Sequence, residues 1–140
     1  MRVILAGGPT AAERAVGVEI ERAARVPLVN QIGRDTLPQM LALLARATAL
    51  LTPDSGPAHM ATMVGTPVIG LYAATNPARS GPYLSRRWCV DAYPEAARRY
   101  RGRAPEQLPW TEKIEEPGVM DLIEVAQVTA KLDELLAYKA

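Results

Sequence analysis

The sequence predicts an α/β domain: a parallel β-sheet covered by helices on both faces. Three observations predict it. Short apolar runs recur at residues 3–6, 28–32, 49–52 and 67–72. Segments with helical apolar spacing separate them, and continuous apolar strands of this kind belong to sheets buried on both sides. The Gly-rich and polar turns all follow the strand runs, which gathers them on one rim, where such sheets bind ligands.

The elements follow in order. Val3, Ile4 and Leu5 open a buried strand that Gly7-Gly8-Pro9 ends. Thr10-Ala11-Ala12-Glu13 is a capping box, and Val16, Ile20 and Ala24 would form one apolar face of the helix behind it. Pro27 closes that segment, and residues 28–32 form a second strand stopped by Gly33. Thr36-Leu37-Pro38-Gln39 is another capping box, with Pro tolerated in the first turn. Leu37, Leu41, Leu44 and Ala47 line one face of its helix. A third strand spans 49–52, a short helix 57–64 ends at Gly65, and a fourth strand spans 67–72.

The second half reads as less regular. The core spans 1–83, and 84–140 holds an irregular segment plus a C-terminal helix over 120–136, whose face is Ile123, Val128, Leu132 and Leu135. Trp88 and Trp110 read as packing residues, and Cys89 as a core residue. Arg86, Arg87, Arg98, Arg99, Arg101 and Arg103 make a basic run, either a solvated helical face or a surface for an acidic lipid or membrane.

Composition bounds the function. The chain has 140 residues and a net charge of +1, with 49% apolar and 22% charged residues. These values exclude a disordered chain and a strongly basic nucleic-acid binder. One domain of this size buries roughly two thirds of its unfolded surface. Cys89 is the single cysteine and His59 the single histidine, so neither an internal disulfide nor a Cys-based zinc site is encoded. No membrane span or secretory leader is legible.

Chemistry concentrates in Asp54-Ser55-Gly56-Pro57-Ala58-His59. A strand ends, the chain turns, and a helix begins at Pro57. The first amides of a helix lack internal partners and, with the macrodipole, favour an anion such as a diphosphate. Gly56 admits close approach to the backbone. His59 can donate to a phosphate oxygen, whereas Asp54 suits a sugar hydroxyl. The plain alternative is that Asp54 or Ser55 is only an N-cap and His59 a surface residue.

The longer string alters that balance. Asp54-Ser55-Gly56-Pro57-x-His59-x-Ala61-x-x-x-Gly65-Thr66-Pro67, with Leu71-Tyr72 and Asn76-Pro77-x-Arg79-x-Gly81-Pro82-Tyr83 behind it, resembles the donor-binding half of glycosyltransferase family nine. These are the bacterial ADP-heptose:lipopolysaccharide heptosyltransferases. Leu5-Ala6-Gly7-Gly8-Pro9 with Glu13-Arg14, and the segment 37–47, resemble the same family, so the likeness runs over 3–83 and faintly to the last helix.

The resemblance implies a Rossmann-like, three-layer parallel sheet, the C-terminal half of a GT-B architecture that lacks its first strand. It implies inverting transfer of heptose from ADP-heptose to the lipopolysaccharide inner core, without a metal or cofactor. Asp54 would hold donor-sugar hydroxyls; the amides of Ser55 and Gly56, with His59, would hold the diphosphate. Glu13 would bind ribose hydroxyls beside the Gly8 turn, and Asp35 and Thr36 would touch the adenine through the backbone. Arg79 would clamp a phosphate. Glu13 and Thr36 are equally explained by their capping boxes, and Arg79 by bracing its loop.

The family's catalytic base, an Asp, belongs to an N-terminal acceptor domain, and a Lys near the diphosphate to the donor domain's first strand and turn. Neither has a counterpart in this sequence, so the 140 residues alone are expected to bind nucleotide weakly and catalyse nothing. With that strand lacking, residues 3–6 are expected to pair directly with 49–52. The expected setting is the cytoplasm, at the cytoplasmic face of the inner membrane, with the acceptor reached through the missing domain and no nucleic-acid partner. Two other readings stay open: a different GT-B nucleotide-sugar enzyme (a UDP-sugar transferase or an epimerase), or a non-catalytic remnant acting as an interaction module.

Overall fold

A computed structural model describes residues 2–139. The chain divides into two compact units, Met1–Ala42 and Leu43–Ala140, with the boundary inside one helix. Every strand pairing is parallel, as the apolar runs predict.

In the first unit, β1 (Val3–Leu5) pairs with β2 (Leu28–Asn30) in the register Val3↔Leu28 and Leu5↔Asn30. Helix α1 (Ala11–Ala23) connects them. Its predicted apolar face is not buried: Val16 is 52% exposed and Ile20 is exposed too. Gly17 is the buried residue instead. A Cβ there would stand 2.5 Å from Ile32 Cδ1, so the helix approaches the end of β2 through its one position without a side chain. Two strands offer too little apolar face to receive a Val/Ile stripe, and the helix turns the stripe outward. Asn30 fixes the adjoining turn, donating to Glu21 Oε2 (2.9 Å) and accepting from the Ile32 amide (3.0 Å).

Helix α2 (Leu37–Arg46) crosses the unit boundary. Leu44 is buried and Leu41 and Ala47 half-buried, but Leu37 is exposed, one turn too early to reach apolar company.

In the second unit the strand order is β3–β4–β5. The strands are β3 (Leu50–Pro53), β4 (Val68–Tyr72) and β5 (Val90–Asp91). Central β4 is buried at Val68, Ile69, Gly70 and Tyr72, as a strand paired on both edges should be. Helix α3 (Gly56–Met63) joins β3 to β4 and stops at Gly65, whose φ of 76° suits a residue without Cβ. Thr66 Oγ1 donates to the Leu44 carbonyl at 2.6 Å, and Ser85 Oγ accepts from the Val68 amide at 3.0 Å. The first satisfies a carbonyl near the end of α2 and the second the amide that opens β4.

The expected pairing of residues 3–6 with 49–52 is not made: β1 pairs with β2 and β3 with β4, in separate sheets. In the doubly wound order the corresponding strands are never neighbours, because each flanks a common first strand. Their other edges carry no ladder among the described residues.

The stretch after residue 83 holds more regular structure than its sequence suggests. It contains a 3₁₀ turn (Tyr83–Trp88), β5, α5 (Tyr93–Arg101), shorter turns at Pro105–Gln107 and Val119–Leu122, and α6 (Val125–Lys139). Trp88 is buried with Ile69 and Leu135, and Val128 and Leu132 pack against them. Trp110 is not a packing residue; it is 61% exposed. It follows Pro109 in a turn with no element over it. Cys89 is half-buried rather than fully in the core, and burial pushes its thiol above its ordinary value. A second core joins Tyr93, Ala96 and Ala97 of α5 to Ile114 and Val119, with Ile123 packed against it. Ile123 therefore leaves the α6 face expected of it, and α6 starts two residues later, where Gln127 Oε1 accepts from the Glu124 amide. Arg101 ties α5 to the following loop through Glu112 (2.7 Å) and Glu116 (2.8 Å).

Leu135 is fully buried and Leu37 exposed. Leu135→Ala should therefore lower the unfolding free energy by about 3 kcal/mol, against less than about 0.5 kcal/mol for Leu37→Ala, measured by urea denaturation.

Candidate functional site

In the second unit the turn after β3 runs Pro53-Asp54-Ser55-Gly56 and enters α3 with Pro57 in its first turn. Ser55 is the N-cap residue, with extended backbone, yet its side chain makes no capping bond. Its hydroxyl is shared with Thr52 Oγ1 at 2.8 Å. Thr52 is buried on β3, so the hydroxyl is held back toward the strand. The amides that open α3 thus keep their outward donors free of side-chain acceptors. Above Gly56 there is room: a Cβ built there meets nothing within 4 Å. His59 is exposed on the first turn of α3, and Asp54 is half-buried beside it in the chain.

Asp54 is fixed by a residue that sequence reasoning missed. Ser80 Oγ donates to Asp54 Oδ2 at 2.8 Å. Ser80 ends the short helix α4 (Pro77–Ser80), which Asn76 caps by accepting from the Ala78 amide at 2.9 Å. Tyr72, at the end of β4, donates its hydroxyl to the Ser80 carbonyl at 3.4 Å. Burial pushes the Tyr72 phenol well above its ordinary value, with the Asp54 charge adding to it, so the group stays a neutral donor. Ser80 stands inside the Asn76–Tyr83 string; that string was the available signal, although nothing in it singles out the serine. Arg79, next to it, is half-buried and holds its Nε in a buried position with no partner. Arg86 braces the same helix by donating to the Ala78 carbonyl at 3.1 Å.

In the first unit the Gly7-Gly8-Pro9 turn and Glu13 form a second cluster. The forward half of the expected capping box is made, with Thr10 Oγ1 accepting from the Glu13 amide at 3.2 Å. Its carboxylate reaches further back than a capping box requires. Oε1 accepts from the Gly8 amide (2.9 Å) and Oε2 from the Thr10 hydroxyl (2.6 Å). A Cβ on Gly8 would stand 2.8 Å from Oε2, so this closure needs glycine. The Thr10 hydroxyl, then the Gly8 amide, hold the Glu13 carboxyl below its ordinary value. Arg14 donates to the carbonyls of Pro9 (3.3 Å), Ile32 (3.5 Å) and Gly33 (3.3 Å), linking two turns at the strand ends. Beyond Gly33, Asp35 Oδ2 is buried with no partner. The Thr36 amide and hydroxyl both donate to Gln39 Oε1 at 2.9 Å, the backward half of the expected box. Among the described residues no three His, Cys, Asp or Glu side chains cluster to hold a metal, and no helix is long and apolar enough to cross a membrane.

Parallel strands joined through helices, with polar side chains on the turns that follow them, make this an α/β protein. The family model of glycosyltransferase family 9 (heptosyltransferase) matches residues 1–108, and the chain belongs to that family. It is 36% identical over 135 residues to the lipopolysaccharide core heptosyltransferase OpsX of Haemophilus influenzae, across 96% of this chain and 39% of the relative. It is 30% identical over 138 residues to lipopolysaccharide heptosyltransferase 3 of Escherichia coli, across 96% of this chain and 37% of the relative. The chain thus spans about two fifths of the length of these relatives. The crystal structure of the glycosyl transferase family 9 from Veillonella parvula matches 98% of this chain and 37% of its own, with a TM-score of 0.71 at 22% identity, a likeness of fold.

Because the folded-state value of Glu13 is lowered, its ionised form supports the folded turn at neutral pH. That support is lost as pH falls through the folded value. Carboxyl-carbon NMR should place the Glu13 midpoint below the ordinary 4.5, and Thr10→Val should move it upward.

Proposed function

We propose that this chain is the donor-binding part of an inverting glycosyltransferase that moves heptose from ADP-heptose to the inner core of lipopolysaccharide. The supporting observation is the uncapped start of α3: the Ser55 hydroxyl is bonded to Thr52, and the space above Gly56 is open. A diphosphate oxygen takes the place a capping side chain would fill, in the field of the helix dipole. His59 donates to the same group. Asp54 accepts from hydroxyls of the heptose, a carboxylate being suited to sugar hydroxyls and unsuited to phosphate.

For the nucleoside, the family resemblance assigns Glu13 to the ribose and the Asp35–Thr36 turn to the adenine. Glu13 retains lone pairs beyond the two bonds it makes, and the unpartnered Asp35 Oδ2 would accept from an amino group. Gly8 holds Glu13 in place through its amide, and Arg79 supplies positive charge for the phosphates.

In the transfer the acceptor hydroxyl attacks the anomeric carbon from the face opposite the diphosphate. The bond from that carbon to the diphosphate oxygen breaks, and ADP departs with the electron pair. The acceptor's proton goes to a base that the resemblance places in a separate acceptor domain. The work of this chain is to bind the donor and stabilise the charge growing on the diphosphate. The proposed setting is the cytoplasmic face of the inner membrane, with peripheral contact to it.

Calorimetry with the 140-residue chain tests the reading. ADP-heptose and ADP should bind, and UDP- and GDP-sugars should bind more weakly. Asp54→Asn should weaken ADP-heptose about tenfold and leave ADP unchanged. Silence toward ADP-heptose at millimolar concentration from a folded protein, or a preference for UDP-sugars, would overturn it.

A further inference from the structure

We propose that the face made by the 3₁₀ turn Tyr83–Trp88 and the end of α6 docks on the surface of an anionic lipid bilayer. The inference rests on the peripheral membrane contact proposed above and gives that contact a place on the molecule.

A groove of about 220 Å³ runs between these two elements and the end of α3. Leu84, Arg87, Trp88, Leu135, Tyr138 and Lys139 line it, and among the described residues no carboxylate does. Two kinds of chemistry meet here. Leu84 is 76% exposed and Tyr138 69%, and Tyr83 and Met63 beside them are also largely exposed. These are large apolar or amphipathic side chains, and two of them sit at the tip of one turn. Exposed cations accompany them. The Arg87 guanidinium carbon is 4.2 Å from the Trp88 ring centroid and 4.0 Å from that of Tyr138. Arg86 lies 5.0 Å from the Tyr83 ring centroid. Lys139 is anchored by donating to the Thr48 carbonyl at 2.9 Å.

The charge is local, because the whole chain carries only +1. Within the turn itself, residues 83–88, there are two arginines and no acid. On α6, Glu134 faces Lys131 at 3.1 Å and is thereby partly neutralised. The pairing of rings with guanidinium groups removes little charge, since a cation over an aromatic face stays positive and weakly hydrated. Exposed leucine and tyrosine side chains beside exposed arginines suit an anionic leaflet: apolar groups for the acyl boundary, cations for the phosphates.

Cosedimentation of the full 140-residue chain tests this against vesicles of phosphatidylglycerol with phosphatidylethanolamine, beside phosphatidylcholine vesicles. The chain should partition onto the anionic vesicles and not the neutral ones, and less so as salt shortens the Debye length. Leu84→Ser and Arg87→Gln should each weaken partition about fivefold, and the double variant by more than about tenfold. Arg98→Gln, on an exposed part of α5 outside the groove, should change it by less than about twofold. Circular dichroism checks that the variants fold; Leu84→Ser alters a side chain lying in solvent and keeps the test open should Arg87→Gln disturb the ring stack. Several results would overturn the proposal: absence of binding to anionic vesicles, equal binding to neutral ones, or Leu84→Ser and Arg87→Gln proteins that bind like the parent. So would a self-association that both variants abolish, which would give this face to a second copy. Donor binding by calorimetry is a separate readout, so the two proposals fail independently.

Discussion

The hydrogen bond between Thr52 and Ser55 is only 2.8 Å long and joins two hydroxyls three residues apart, yet the character of the second unit's loop turns on it. A serine before a helix ordinarily caps it. Here the hydroxyl is already engaged with a buried threonine on β3; Pro57 has no N–H and the Ala58 amide donates to the Ser55 carbonyl, so the Gly56 amide is the opening donor left without a side-chain acceptor. The helix gives up a stabilising contact worth about 1 kcal/mol. What it keeps is a positive helix terminus.

The Asp54 carboxylate next to that terminus is held in one orientation. Ser80 supplies the control from the far side of β4, and Tyr72 holds Ser80 in turn. The Asp54 loop and the Asn76–Tyr83 loop therefore depend on one parallel register, Thr52↔Gly70 and Pro53↔Leu71. A slip by one residue would turn every side chain of the strand to the opposite face and part the two loops. Gly70 leaves room for the ring of Tyr72 two residues along the same strand, because a Cβ there would stand 2.5 Å from it.

Much of this was legible in the sequence. Asp54, Ser55, Gly56 and His59 fall on a strand–turn–helix junction as their spacing predicts, and Gly65 and Gly33 take the positive φ that ends their elements. The parallel pairing followed from apolar runs that do not alternate. Four features were not legible. Helical periodicity marks an apolar stripe without saying whether a neighbour covers it, so Val16 and Ile20 were expected inside and lie outside. Strand partners depend on the whole sheet, so the pairing expected of residues 3–6 failed although each strand was located correctly. Ser80 looks in sequence like any loop serine; its role exists only because two loops 26 residues apart converge. The capping box at Thr10 was visible, but the reach of Glu13 back to Gly8 depends on a turn geometry that no spacing rule specifies.

Arg14 spends its guanidinium on three backbone carbonyls drawn from two separate turns. None of those bonds is short, and none alone would hold a loop. Together they make the glycine turn after β1 and the Gly33 turn after β2 a single mechanical piece. A purine or ribose that settled on one of them would stiffen the other without touching it.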